Sequence, residues 1–204
     1  MNNRKKLFRM TAAALLAALV FLFGMTPLGL IPLGFINITV LCIPVIIGAL
    51  ALGLRHGLLL GFCFGTASTL SMVGVSLTPP SALSSALFAV TPLCAVVMCY
   101  VPRLAVPAVA YTVFHLLKKN SKTGSLSVAA SAACASLTNT VLYLGLMLLF
   151  YAINGMDAAE VLALIAGTGI IAGSCEAAAA ALITVPVLKA LSKTPIGNYA
   201  GGKV

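Results

Sequence analysis

Long apolar runs, separated by short polar or turn-rich segments, make up almost the whole chain. A helix that crosses the hydrocarbon core of a bilayer takes about 20 residues, and most of these runs approach or exceed that length. The pattern therefore predicts an all-α integral membrane protein, folded as a single domain over residues 1–204. The six predicted transmembrane helices cover about 8–25, 38–54, 57–75, 92–117, 125–152 and 161–191.

Composition supports the membrane assignment. Of the 204 residues, 61% are hydrophobic and 7% are charged, and the mean hydropathy is +1.15. A soluble domain has roughly 45–50% apolar and about 25% charged residues. These values exclude a soluble globular protein, a disordered chain and a secreted disulfide scaffold. The six cysteines lie in or beside apolar runs without metal-ligand spacing, so we interpret them as small buried hydrophobic residues.

The basic residues indicate the topology of the chain. They cluster at Arg4–Arg9, Arg55, Lys118–Lys122 and Lys189–Lys203, and the net charge is +9. The positive-inside rule places every cluster in the cytoplasm, so an even number of helices must separate successive clusters. This predicts a multi-pass protein of the cell membrane with both termini cytoplasmic. The excess positive charge is therefore a topology signal and does not indicate a nucleic-acid partner.

Two predicted outer loops are apolar and rich in turn residues. Residues 26–37 contain prolines and glycines but no charge, and 76–90 contain Pro79-Pro80 and several serines. We expect both loops to fold back and cap a pocket, although the first could instead lie in the lipid interface. Two spans within 82–117 would give seven crossings, but they would place Lys118–Lys122 outside, so we reject them.

Ionisable residues at membrane depth are functional candidates because they are costly there. Arg103, Glu176 and Asn139 lie about 22, 20 and 25 Å above the cytoplasmic boundary at 1.5 Å per residue. Arginine suits a carboxylate, so an anionic organic substrate is favoured. The alternatives are snorkelling for Arg103, a structural pair with Arg103 for Glu176 and an interhelical hydrogen bond for Asn139. Tyr143 shares the Asn139 face, unless it is an interfacial aromatic residue.

Two helices carry small residues at a spacing of four, which lets helix backbones approach closely. On helix 3 we interpret them as internal packing, and on helix 1 as a docking surface for a partner. The glycines of helix 3 are Gly57, Gly61 and Gly65, and the alanines of helix 1 are Ala13, Ala14, Ala17 and Ala18.

The sequence contains no catalytic motif. The two histidines, His56 and His115, fall at predicted cytoplasmic helix ends. The patterns H-E-x-x-H, G-x-S-x-G and G-x-x-x-x-G-K-[ST] are absent, so the chain cannot hydrolyse ATP alone. We therefore predict a protein that is not an enzyme and needs no metal or cofactor.

Four segments resemble the substrate-binding S components of energy-coupling factor (ECF) transporters, in the group of pantothenate, folate and riboflavin binders. The resemblance covers nearly the whole chain. It rests on ITVLCIPVIIGALALGLRHGLLLGFCFG (38–65), VPRL (101–104), SLTNTVLYLGL (136–146) and CEAAAAALITVPVLKAL (175–191).

The resemblance implies a protein that captures a vitamin or similar micronutrient and works with a T component and two cytosolic ATPases. It implies docking of the T component on the helix 1 alanines, and substrate near Asn37, Arg103, Asn139 and Glu176. Pantothenate is the first candidate substrate, ahead of folate and riboflavin. The alternative is a stand-alone secondary transporter that uses Glu176 as its ion site, and a membrane enzyme ranks third.

Overall fold

The fold was obtained as a computed structural model. It describes residues 3–27, 29–32, 37–77, 79–120 and 124–192, and in these ranges helices dominate. The α-helices in chain order are α1 (Asn3–Met25), α2 (Cys42–Leu52), α3 (Leu54–Met72), α4 (Ala82–Val90), α5 (Pro92–Asn120), α6 (Gly124–Ile153), α7 (Ala158–Leu164) and α8 (Ile170–Ser192).

Four of the described helices are long and apolar enough to cross a membrane. They are α1, α5, α6 and α8, and this shows an integral membrane protein built of helices. Helix α2 has 11 residues, so at 1.5 Å per residue it extends about 16 Å, roughly half of a bilayer core. The count of six crossings and the cytoplasmic placement of the termini stay predictions.

Helix α2 lies at the centre of the protein. Ten of its 11 residues are buried, and it packs against α1, α3, α5 and α8. A helix that is apolar on every side is typical of a position enclosed by other helices. Val45 and Ile46 of α2 form a core together with Leu60, Phe64 and Val106 of the neighbouring helices.

The glycine stripe of α3 faces α5 and, at Gly57, also α2, which confirms the interpretation as internal packing. A Cβ added at Gly57 would lie 2.7 Å from Ala49 of α2 and 3.0 Å from Pro107 of α5, and one at Gly65 would lie 2.7 Å from the Tyr100 ring of α5. At Gly61, an added Cβ would lie 2.7 Å from the carbonyl oxygen of Arg103. The two helices approach so closely that side chains are excluded along this line.

The first outer loop contains a β-hairpin that the hydrophobic pattern did not predict. Strand β1 (Leu30–Pro32) pairs antiparallel with β2 (Asn37–Thr39), and β2 packs against α8. The second helix consequently begins at Cys42 and not near residue 38. Asn-Ile-Thr is rich in β-branched residues, which favour strands, and pairing satisfies backbone groups that lipid could not.

The helix ends differ from the predicted ranges where glycine or serine sets the boundary. Gly53 has φ +96° and separates α2 from α3, and Gly74 has φ +85° just after α3 ends. Such positive φ values suit glycine. Within the predicted loop 76–90, Ser81 caps α4 by accepting from the Ser84 N–H.

The predicted last helix, 161–191, is interrupted. Helix α7 begins at Ala158, after Asp157 accepts a hydrogen bond from the Ala159 N–H at 2.9 Å. A π-helical segment, Ile165–Gly169, then joins α7 to α8. Its sequence, Ile-Ala-Gly-Thr-Gly, includes two glycines, which weaken a regular α-helix.

Candidate functional site

Arg103, in the middle of α5, lines a small polar cavity. The residue is 5% exposed, so its guanidinium is enclosed by protein and does not snorkel to an interface. The cavity has a volume of about 40 Å³ and lies between α3, the start of α4, α5 and α6. Its other lining residues are Ser68, Ser71, Met72, Pro80, Ser81, Ser84, Cys99 and Tyr143.

The arginine is held by a carbonyl of its own helix. Its Nη1 donates to the carbonyl oxygen of Met98 at 3.1 Å. In a regular helix, the N–H of the residue four positions later would donate to that carbonyl. That residue is Pro102, which has no N–H. The guanidinium therefore satisfies a carbonyl that the proline leaves open.

Two aromatic rings flank the guanidinium. Its Cζ lies 4.6 Å from the centre of the Tyr143 ring on α6 and 5.3 Å from that of Phe64 on α3. The buried Nε–H has no acceptor within the described ranges. Among the described residues no carboxylate pairs with Arg103. A buried positive charge without a counter-ion is costly, so the site is suited to an anion.

Hydroxyl groups form part of the cavity lining. Ser81 and Ser84 lie 2.6 Å apart at their Oγ atoms, and Ser76 donates to Ser71 at 3.1 Å. The Tyr143 hydroxyl faces Ser81 and Ser84. Sequence reasoning missed these serines as site residues. The available signal was the presence of six serines within residues 68–85.

Glu176 belongs to a different contact, between α6 and α8. Its Oε2 accepts from the Thr140 hydroxyl at 3.0 Å. Gly173, one turn earlier on α8, makes room for Thr140, because an added Cβ would lie 3.0 Å from its methyl carbon. Glu176 contacts Thr140 and Arg103 contacts Tyr143, and these two α6 residues are three positions apart. Glu176 and Arg103 therefore lie against the same turn of α6 but do not pair with each other.

The remaining predicted site residues have different surroundings. Asn139 is buried in α6, and its Oδ1 has no hydrogen-bond partner among the described residues. Asn37 lies in β2, and its side chain falls outside the described part of the chain. The structure thus brings Arg103 and Tyr143 into contact and places Glu176 on the adjoining helix interface.

The alanines of α1 separate into two faces. Ala13 is buried in the core and Ala17 is half-buried, whereas Ala14 and Ala18 are exposed. Helix α1 is also the most exposed of the four candidate spans. Of the predicted docking residues, Ala14 and Ala18 are therefore the two that a partner helix could reach.

The described helices show an integral membrane protein with a small cavity beside Arg103. The family model for the ECF transporter, substrate-specific component, matches residues 8–188. The chain belongs to this family, whose members are substrate-binding subunits of ECF transporters and work with a T component and ATPases. The family is one of transporter subunits and not of enzymes. A search of curated proteins gave no match to the chain.

Proposed function

We propose that the chain captures a small hydroxylated carboxylate in the Arg103 cavity and delivers it into the cell as part of an ATP-driven ECF vitamin transporter. Pantothenate is our first candidate. The observation that carries the proposal is the buried guanidinium of Arg103, whose Nε–H lacks an acceptor and which has no carboxylate partner among the described residues. A substrate carboxylate supplies both the acceptor and the opposite charge.

The lining of the cavity agrees with this chemistry. Pantothenate carries a carboxylate, an amide and hydroxyl groups, and the serines at positions 68, 71, 81 and 84 can donate to and accept from such groups. The Met72 and Pro80 side chains supply apolar wall for its carbon skeleton. Riboflavin lacks a carboxylate, and folate carries more than one, so neither matches a single arginine as well.

The cavity must enlarge to admit a vitamin. A volume of about 40 Å³ holds a few water molecules. Pro80 and Ser81 belong to the segment between α3 and α4, which we propose is the cap that moves, whereas Ser84 lies in the first turn of α4. The body of α4 is fastened, because Tyr151 donates to the Leu83 carbonyl at 2.7 Å and Leu87 is fully buried. The chain segment that leads into α4 is therefore the part that opens.

We further propose the arrangement in the membrane. Six crossings place both termini in the cytoplasm of the cell membrane, and Ala14 and Ala18 dock on the T component, which connects the chain to two ATPase subunits. The exposed small residues of α1 support this assignment, because they would let a partner helix approach closely. Family membership favours this ATP-driven route over the ion-coupled alternative.

The decisive experiment measures pantothenate binding by calorimetry on the purified protein, with native mass spectrometry to detect any retained ligand. We expect Arg103→Gln to weaken binding by about tenfold to a hundredfold, the effect of losing a charged hydrogen bond. Arg55→Gln is the matched control, since Arg55 is exposed at the start of α3, away from the cavity. Equal affinity in all three proteins would refute the site. Retention of a different compound would refute the substrate.

A further inference from the structure

Pro102 has a role that its place in an apolar helix does not suggest. Within α5, two prolines, Pro102 and Pro107, each deprive one carbonyl of its helical N–H donor. For Pro107 this is the carbonyl of Arg103, against which Gly61 packs. For Pro102 it is the carbonyl of Met98, and that carbonyl accepts from the Arg103 side chain.

We infer that Pro102 is a positioning residue, which fixes the Arg103 guanidinium in the cavity by leaving it an acceptor on its own helix. The inference rests on the proposed function, since it concerns the group that binds the substrate anion. A long arginine side chain loses conformational freedom when it is ordered, and that loss weakens binding if it occurs at the moment of binding. The Met98 contact orders the side chain beforehand.

The Arg103 guanidinium retains hydrogen-bond donors that a ligand could use. Nη1 is engaged by Met98, while Nε–H is buried without an acceptor. The Phe64 and Tyr143 rings cover the guanidinium on the two neighbouring helices. An anion can therefore bind without first displacing a protein carboxylate, and the bond to Met98 can persist while it does so.

The test restores the missing N–H. In Pro102→Ala the backbone N–H at position 102 competes with Arg103 for the Met98 carbonyl oxygen. The Arg103 side chain then loses its fixed position but keeps its charge. We expect pantothenate affinity to fall by about threefold to tenfold, the range for one net hydrogen bond. The affinity for panthenol, the neutral alcohol analogue, should change much less. Pro107→Ala is the matched control, because it removes a proline from the same helix without touching the Met98 carbonyl.

A second measurement does not depend on the identity of the substrate. Ser68 lines the cavity on α3 and is half-buried, whereas Cys99 is 3% exposed. The thiol of Ser68→Cys, in a protein whose native cysteines are replaced, can therefore report the local field. Anionic and cationic methanethiosulfonates are the probes. We expect the ratio of anionic to cationic modification rates to fall about threefold to tenfold in Pro102→Ala, at least as far in Arg103→Gln, and not in Pro107→Ala.

The outcomes separate the two proposals. If Pro102→Ala keeps the wild-type rate ratio and Arg103→Gln loses it, the positioning role is wrong and the anion site stands. If pantothenate binds to none of the proteins but the ratio falls as expected, the substrate assignment fails and the positioning role stands. If Ser68→Cys, in the otherwise unchanged cavity, shows the same ratio of rates as a free thiol in solution, both are wrong. Pro102→Gly, which also carries an N–H, replaces Pro102→Ala if the alanine variant does not elute as a folded protein.

Discussion

Helices α1 and α3 both carry small residues at a spacing of four, and the structure uses them in different ways. On α3, Gly57 lies against Ala49 and Pro107, and Gly61 and Gly65 lie against the Arg103 carbonyl and Tyr100. On α1, Ala14 and Ala18 face outward and are not covered by any other part of the described chain. The spacing alone predicts that a backbone can come close. Burial decides whether that backbone belongs to the same chain or to a partner.

The two stripes also differ in what a larger side chain would displace. Opposite Gly61 is a backbone carbonyl, which cannot rotate away, and it belongs to the residue that carries the site's charge. Ala14, by contrast, is exposed on the outside of the protein, so a larger side chain there displaces no part of the described chain. The following substitutions are ranked by their expected effect on the free energy of unfolding, and they test whether this distinction is correct.

Gly61→Leu should have the largest effect. Its Cβ would lie 2.7 Å from the Arg103 carbonyl oxygen, so α3 and α5 must separate at a cost of about 3 kcal/mol, the upper part of the usual range for overpacking. Thermal unfolding in detergent measures this loss. Gly145→Leu is the control, because an added Cβ at Gly145 meets open space. Equal melting temperatures for the two variants would show that the α3–α5 contact is looser than described.

Ala13→Trp should have an intermediate effect and differ sharply from its neighbour. Ala13 is 6% exposed and belongs to the core, whereas Ala14 is exposed. The buried tryptophan should destabilise the fold by about 1–3 kcal/mol, and Ala14→Trp should leave the unfolding temperature near that of the wild type. If the two variants unfold at the same temperature, the division of α1 into an inner and an outer face is wrong.

Gly145→Ala should have a small effect of the opposite sign. Gly145 is an exposed glycine inside α6, and nothing lies within 4 Å of an added Cβ. Alanine should therefore stabilise the helix by about 0.5–1 kcal/mol through its higher helix propensity. The test is a rise in the unfolding temperature of Gly145→Ala. Gly61→Ala is the comparison, since its stability should not increase. A decrease would reveal a contact at Gly145 that the isolated chain does not show.

The double variant Ala14→Trp, Ala18→Trp should leave unfolding almost unchanged and yet abolish assembly. Both positions are exposed, so the protein can accommodate the rings, but a partner helix could no longer approach closely. Co-purification with the T component and the ATPase subunits measures assembly, and uptake measures its consequence. If the double variant assembles and transports normally, α1 does not dock through these alanines.

Sequence patterns predicted the long apolar helices, whereas the choice of site residues stays a prediction. The predicted 125–152 became α6 (Gly124–Ile153), because a run of that length and hydropathy has few alternatives. The β-hairpin and α4 were not predicted, because strands of three residues and a helix of nine, in segments rich in proline and glycine or serine, are too short to show a clear period.

At the site, the scarcity of charge was enough to single out Arg103, but not to predict its partners. Its hydrogen bond to Met98 depends on the position of Pro102 relative to that carbonyl, and its contact with Tyr143 depends on how α5 and α6 pack. The expected possibility of an Arg103–Glu176 pair failed for the same reason, since Thr140 on α6 contacts Glu176 instead. Contacts between helices are set by packing, which one sequence does not display.

The π-helical segment Ile165–Gly169 amounts to one residue more than a regular helix would hold over the same distance. Deleting one residue there would let α7 and α8 merge into a continuous helix, but each residue turns a helix by about 100°. Val161, fully buried in the cluster that includes Met147 and Tyr151, would then rotate away from its pocket. The number of residues in this segment therefore fixes the rotation of α7 about the helix axis relative to α8. Natural insertions or deletions should avoid it.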